Sequence, residues 1–158
     1  MTTLHLGVID HNYTNSEKSI STGDVAEILE DNYGVMTGFA VTNSQQIADT
    51  LADSYAGAIE TIVMGGISKD PAASGMSKIS TMMKQYLTTR EAEWVLAPGV
   101  KGHQVPTLAA LKGVRTRYKD PTSILKKVLK GKKTKVGVRR PSFIDTGLYE
   151  NSLIAWME

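Results

Sequence analysis

Near its C-terminal end the chain carries Asp145-Thr146-Gly147, an acid beside a hydroxyl and a glycine, the triplet whose residue types most invite a hydrolytic reading. Such an acid cleaves amides when a second carboxylate shares its proton and a β-rich flap closes over the substrate. Only 11 residues follow Gly147, and the preceding chain reads as largely helical, so no such cleft is expected. The histidines, His5, His11 and His103, are too scattered for metal-ligand spacing, and Asp10-His11 reads as an exposed turn. Gly65-Gly66-Ile-Ser-Lys69 has a glycine pair and a lysine but not the GxxxxGK[ST] spacing that wraps phosphate, and reads as a helix stop. There is no cysteine, which excludes disulfides, thiolate zinc sites and cysteine nucleophiles. No Ser/His/Asp spacing favours hydrolysis. The expectation is a non-enzymatic protein without a catalytic, cofactor or metal site.

Charge is the second chemical signal. Residues 1–111 hold 6 Lys/Arg against 12 Asp/Glu, residues 112–140 hold 12 against one acid, Asp120, and residues 141–158 hold three acids and no base. The overall charge of +2 therefore conceals an acidic body, net −6, and a basic segment, net +11. A block this basic is a candidate for contact with phosphates or with an acidic protein surface, the alternative being a solvated loop. Lys126, Lys127, Lys130, Lys132, Lys133, Lys135, Arg139 and Arg140 are the expected subunit or DNA contacts.

These residues need elements to position them. The 158 residues fit a single domain, which at this length buries roughly 70% of the surface its unfolded chain exposes. With 41% hydrophobic and 22% charged residues the composition is that of an ordinary globular protein. The N-terminus has no basic stretch leading into an apolar run, and no window reaches the ~18 apolar residues of a membrane span, so a cytoplasmic product without an address label is expected. Leu4 to Ile9 reads as a short strand. Ser21-Thr22-Gly23-Asp24 starts a short helix with Val25, Ile28 and Leu29 on one face, ended by Gly34. Thr42-Asn43 with Gln45-Gln46 has capping-box spacing, and Ile47, Leu51, Tyr55, Ile59 and Ile62 or Val63 follow at helical period up to Gly65. After a loop, Ile79, Met82, Met83, Tyr86, Leu87 and Trp94 repeat that period, and Met76, Met82 and Met83 read as core filler. Asp120-Pro121 opens a basic helix of about two turns, with Ile124, Leu125, Val128 and Leu129 on one face. Lys132 to Arg140 reads as an arm or β-ribbon. Ser152 to Glu158 reads as a last strand with Leu153, Ala155 and Met157 on one face. The expected fold is α+β: two main helices packed with a small antiparallel sheet formed partly by the chain ends, plus an extended basic arm at 112–140 before the corner and strand of 141–158.

The C-terminal segment carries two resemblances. Phe143-Ile-Asp-Thr-Gly147 resembles the catalytic motif of aspartic proteases, whose second lobe and flap this chain has no room for. The longer run Arg140-Pro-Ser-Phe-Ile-Asp-Thr-Gly-Leu-Tyr-Glu-Asn-Ser152 resembles the ending of neck and tail-completion proteins of tailed phages. That ending is a basic residue, Pro, a short apolar run, Asp-Thr-Gly, a bulky residue and Ser before a strand. The match extends weakly over Val105 to Lys119. An early Gly followed by Ile-Pro-Ala-Arg-Pro-Phe, common in the family, corresponds here to Gly34-Val-Met-Thr-Gly-Phe39, which keeps the Gly and Phe and lacks both prolines and the arginine.

The resemblance implies a virion protein, made in the host cytoplasm and built into a ring in the neck or at the head-proximal end of the tail. Its implied partners are copies of itself, neighbouring neck, connector, tail-tube or terminator proteins, and DNA in the channel, with no membrane. Pro141, Asp145, Thr146, Gly147 and Ser152 are then structural: Pro141 stiffens the approach, Asp145 or Thr146 caps a turn, and Gly147 takes a positive φ. The alternative is a DNA- or RNA-binding module using residues 112–140. Tyr118 is the only aromatic in that segment, so stacking platforms for bases are scarce.

Overall fold

The computed structural model describes residues 3–13, 20–97, 105–111, 138–144 and 147–158. Among them the fold is α+β, as expected: β1 (Leu4–Val8) pairs antiparallel with β2 (Leu153–Met157), and helices make up the rest. The helices are α1 (Thr22–Tyr33), α2 (Val35–Thr42), α3 (Ser44–Val63), α4 (Ala73–Thr88), α5 (Glu91–Val95), α6 (Leu108–Leu111) and α7 (Leu148–Ser152). The basic helix and arm expected from Asp120 to Lys135, with Lys126, Lys127, Lys130, Lys132, Lys133 and Lys135, lie outside the described residues, as do Asp145 and Thr146.

Local chemistry explains the early elements. Ser21 accepts the Asp24 N–H at 3.2 Å while the Asp24 carboxylate accepts the Ser21 N–H at 2.8 Å, a reciprocal capping box. Asp10 accepts the Gly23 N–H at 3.0 Å, and fully buried Thr22 bridges the His11 N–H and the Ile9 carbonyl, tying this helix start to the end of β1. Gly34 closes α1 in the left-handed region at φ 64°, a conformation that costs a side-chain-bearing residue ~1–2 kcal/mol. Of the expected α1 face, Val25 and Leu29 pack on the core, but Ile28 is more than half exposed.

Gly34 also starts α2, a helix the sequence pattern does not announce. Val-Met-Thr-Gly-Phe-Ala-Val-Thr is apolar nearly all round and mixes β-branched residues with a glycine, so it has no clean helical period. It forms because Glu30, at the end of α1, supplies carboxylate oxygens to the Met36 and Thr37 N–H groups at 2.7 and 3.1 Å. The capping box expected at Thr42-Asn43 is absent. The Asn43 side chain instead donates back to the Phe39 carbonyl at 3.1 Å, since α3 follows α2 with a single residue between them.

The two main helices cross where Gly75 meets Ser54. A Cβ on Gly75 would lie 3.1 Å from that of Ser54, and the Ser54 hydroxyl donates to the Pro71 carbonyl at 2.8 Å and accepts the Gly75 N–H at 3.0 Å. Further along α4, Ile79, Met83, Tyr86 and Leu87 face Val35 and Phe39 of α2 and Tyr149, Leu153 and Ala155 of the C-terminal unit. Phe39 and Tyr86 meet edge to face, ring centres 5.5 Å apart. The expected continuation of this helix to Trp94 does not occur. Arg90, at φ 65°, turns the chain into α5, and Trp94 is 79% exposed rather than in the stripe.

Candidate contact surface

The C-terminal corner is held by one acid. Glu93 on α5, only 6% exposed, accepts the Ser142 N–H at 2.8 Å and the Ser142 hydroxyl at 2.9 Å on one oxygen. Its other oxygen accepts an Arg139 guanidinium N–H at 2.8 Å. The Ser142 hydroxyl in turn accepts the Thr107 N–H at 3.2 Å, and the Arg140 N–H donates to the Ala110 carbonyl at 3.1 Å. The Arg140 guanidinium donates to the Ile144 carbonyl. Residues 138–144 are therefore strapped to α5 and α6, so the two ends of the basic segment are fastened side by side. Phe143 takes φ 69° and packs edge to face on Tyr33 at 5.0 Å. Gly147, at φ 77°, opens α7, a short helix interposed before β2, and buried Ser152 donates to the Tyr149 carbonyl at 2.7 Å.

Of the expected contact residues, Arg139 and Arg140 are described, and both engage partners within the chain: a carboxylate for Arg139 and backbone carbonyls for Arg140. Of the expected structural positions, Gly147 has its positive φ, and Pro141 precedes the buried turn at Ser142. Glu93 was not marked in the sequence: in Glu91-Ala-Glu93-Trp it reads as one of two helix acids. What separates it from Glu91 is burial through a distant segment.

A second surface emerges on α3. The stripe Ile47, Leu51, Tyr55, Ile59, Ile62 reads as a core face along its whole length, yet Ala58 is its last buried position. Beyond the crossing at Ser54 and Gly75 the helix runs on past the start of α4. Ile59, Ile62, Val63, Met64 and Ile67 are then 55–85% exposed at the tip of the helical hairpin. This apolar density far exceeds the scattered exposed side chains that need no explanation.

In the core, a small apolar cavity is bounded by Val35, Phe39, Tyr86, Tyr149 and Leu153 among others. The hydroxyls of Tyr86 and Tyr149 are buried without a hydrogen-bond partner among the described residues. Burial, reinforced by Glu91 and Glu30, pushes Tyr86 up to about 12, and burial with Glu30 raises Tyr149 as well. Asp10 moves the other way, held below the usual carboxylate range chiefly by the Gly23 N–H and then by Ser21. Among the described residues, no three His, Asp or Glu side chains gather as a metal site requires, and no helix is long and apolar enough to cross a membrane. What the described surface offers is a strapped corner and an apolar tip.

The chain matches no protein-family model, no curated protein and no solved structure.

Proposed function

We propose that this chain is a non-enzymatic structural subunit of a tailed-phage virion, forming a ring in the neck or at the head-proximal end of the tail. The observation that carries the reading is the segment Arg140 to Ser152, whose residue order resembles that of neck and tail-completion proteins. The apolar hairpin tip supports it, because Ile59, Ile62, Val63, Met64 and Ile67 are exposed among the described residues and a ring of copies would cover them. The acidic body and basic segment on each copy favour head-to-tail contacts of opposite charge. In this reading Lys126, Lys127, Lys130, Lys132, Lys133 and Lys135 reach a neighbouring subunit or line the DNA channel.

The test is the mass of the protein in solution together with its copy number in purified particles, with electron microscopy of both. A ring in isolation or a defined copy number in virions is the expected result. A protein that stays monomeric and is absent from virions refutes the reading. Charge at the tip gives a second check: Ile62→Lys with Val63→Glu should leave the thermal midpoint nearly unchanged while abolishing ring formation.

A further inference from the structure

Among the described residues the two-stranded sheet leaves the outer edge of β1 open, and its hydrogen-bond phase says which groups point there. Thr3 and Glu158 exchange N–H···O bonds of 2.7 and 3.0 Å, and the Ile9 N–H donates to the Ser152 carbonyl at 2.8 Å. In the register that sets Leu6 opposite Ala155, an antiparallel ladder then turns the backbone groups of His5 and Gly7 toward β2. Those of Leu4, Leu6 and Val8 turn away from it. On the far side of β2 the Ser80 hydroxyl of α4 accepts the Ala155 N–H at 3.0 Å, and the Glu150 carbonyl accepts the Leu153 N–H. The outer edge of β1 has no such cover: among the described residues no group bonds the backbone of Leu4, Leu6 or Val8.

Edges of this kind recruit further strands unless guarded by proline, charge or a bulge. Leu-His-Leu-Gly-Val carries none of these guards. The side chains of Leu4, Leu6 and Val8 pack against the core yet stay only half-buried.

We propose that the outer edge of β1 is an interface for the same edge of a second copy of this chain, the two strands running antiparallel with Leu6 facing Leu6. The occupant follows from symmetry. The outward groups fall at positions 4, 6 and 8, so a twofold axis through Leu6 sets every outward group against an outward group of the second copy. Three pairs that each exchange two bonds give about six new N–H···O bonds. On the core side Leu4 faces Val8 and Leu6 faces Leu6, apolar pairs that close the half-buried flank. On the other side His5 faces Gly7, over which the chain's own Trp156 ring already lies, within 2.9 Å of where a Cβ would stand, so the incoming His5 meets that ring. The product is a continuous four-stranded sheet, in place of a two-stranded ribbon that is marginal by itself. The inference is independent of the virion reading, since it rests on the sheet alone.

The test is amide hydrogen exchange and sedimentation of the full chain across a range of micromolar concentrations. The expected result is a dimer forming with concentration while exchange at Leu4, Leu6 and Val8 slows by about tenfold or more. The amides of His5, Gly7 and Ile9, already paired with β2, should be protected throughout. Leu6→Pro deletes the central outward N–H and no bond among the described residues, so the variant should keep its circular dichroism and stay monomeric. A chain that is monomeric at every concentration overturns the proposal. So does protection of Leu4, Leu6 and Val8 in the dilute monomer, or a folded Leu6→Pro variant that still dimerises. Self-association of any order with these three amides still exchanging freely also overturns it, while leaving the ring reading intact. If Leu6→Pro unfolds, the exchange pattern of the unaltered chain decides.

Discussion

Removing the Glu93 carboxylate should loosen the C-terminal corner more than any other single surface-to-core contact described. Three hydrogen bonds end on it at 2.8–2.9 Å, and Ser142, which supplies two of them, is 2% exposed. Hydrogen bonds to a charged group contribute about 1.5–3 kcal/mol each, and a buried donor left without its acceptor costs a similar amount. The Arg139 side chain is 46% exposed, so its share is discounted to less than about 1 kcal/mol. Glu93→Ala strands both Ser142 donors and should cost about 3–4 kcal/mol.

Glu93→Gln keeps an acceptor for Ser142 but turns an amide N–H₂ toward Arg139, and should cost about 1–2 kcal/mol. Urea denaturation gives these values directly, and thermal melting should show a fall of about 10 °C for the alanine variant. A double-mutant cycle with Ser142→Ala isolates the contact, with an expected coupling of about 1–2 kcal/mol. A loss below about 1 kcal/mol for Glu93→Ala, or a coupling near zero, would refute the claim that this acid holds residues 138–144 in place.

The buried tyrosines give the opposite expectation. Tyr86→Phe removes a hydroxyl that has no partner among the described residues, so denaturation should show a change within about 0.5 kcal/mol or a small gain. Because the folded-state value of Tyr86, about 12, lies above the unfolded 10.0, the folded state holds its proton longer. Stability should therefore fall as pH rises from 10.0 toward 12, and Tyr86→Phe should flatten that alkaline slope. Asp10 is lowered from 3.8, so its contribution is present above 3.8 and lost as pH falls through the folded-state value. Asp10→Asn should remove that acid-limb dependence, and a carboxyl NMR titration of the parent should give a midpoint below 3.8. Gly75→Val would place a branched side chain where even a Cβ lies 3.1 Å from Ser54, and should cost about 2–3 kcal/mol by urea denaturation.

The elements that could be read from the sequence are those fixed by short-range chemistry. The Ser21 cap, the Gly34 stop, the period of the two main helices and the alternation of Leu153 to Met157 all act within a few residues, so their signals sit in the pattern itself. What could not be read depends on partners far along the chain. Helix α2 needs Glu30 to cap it and a core to bury Val35 and Phe39, neither of which a window over Val35–Thr42 contains. The break at Arg90 cannot be read either, because Trp94 continues the apolar period of α4 in sequence but not in space. The half-exposed stripe of α3 follows from where the helices cross, a tertiary fact that leaves no local trace. At the site the asymmetry is the same. Gly147 was legible as a positive-φ position, whereas Glu93 gains its role from Ser142, 49 positions away.

The Glu93 strap also bounds what the basic segment can do. Residues 112–140 hold 12 Lys/Arg, but Arg139 is neutralised by Glu93 and Arg140 is held against the backbone at Ile144 and Ala110, which leaves ten cations in residues 112–137. Both ends of that stretch are fastened at one place, since Ala110 bonds Arg140 directly. If free duplex DNA binds here, log K should fall with log salt by a slope no steeper than about −9, the limit for ten phosphates neutralised. The acidic body, net −6 over residues 1–111, competes for the same cations at low salt, so the measured slope should be shallower still. Fluorescence anisotropy with a labelled duplex across a salt series measures it. A slope steeper than that limit would mean that cations outside residues 112–137 also engage, and a slope that returns to the limit in an Arg139→Ala, Arg140→Ala variant would mean that the strap opens when nucleic acid binds.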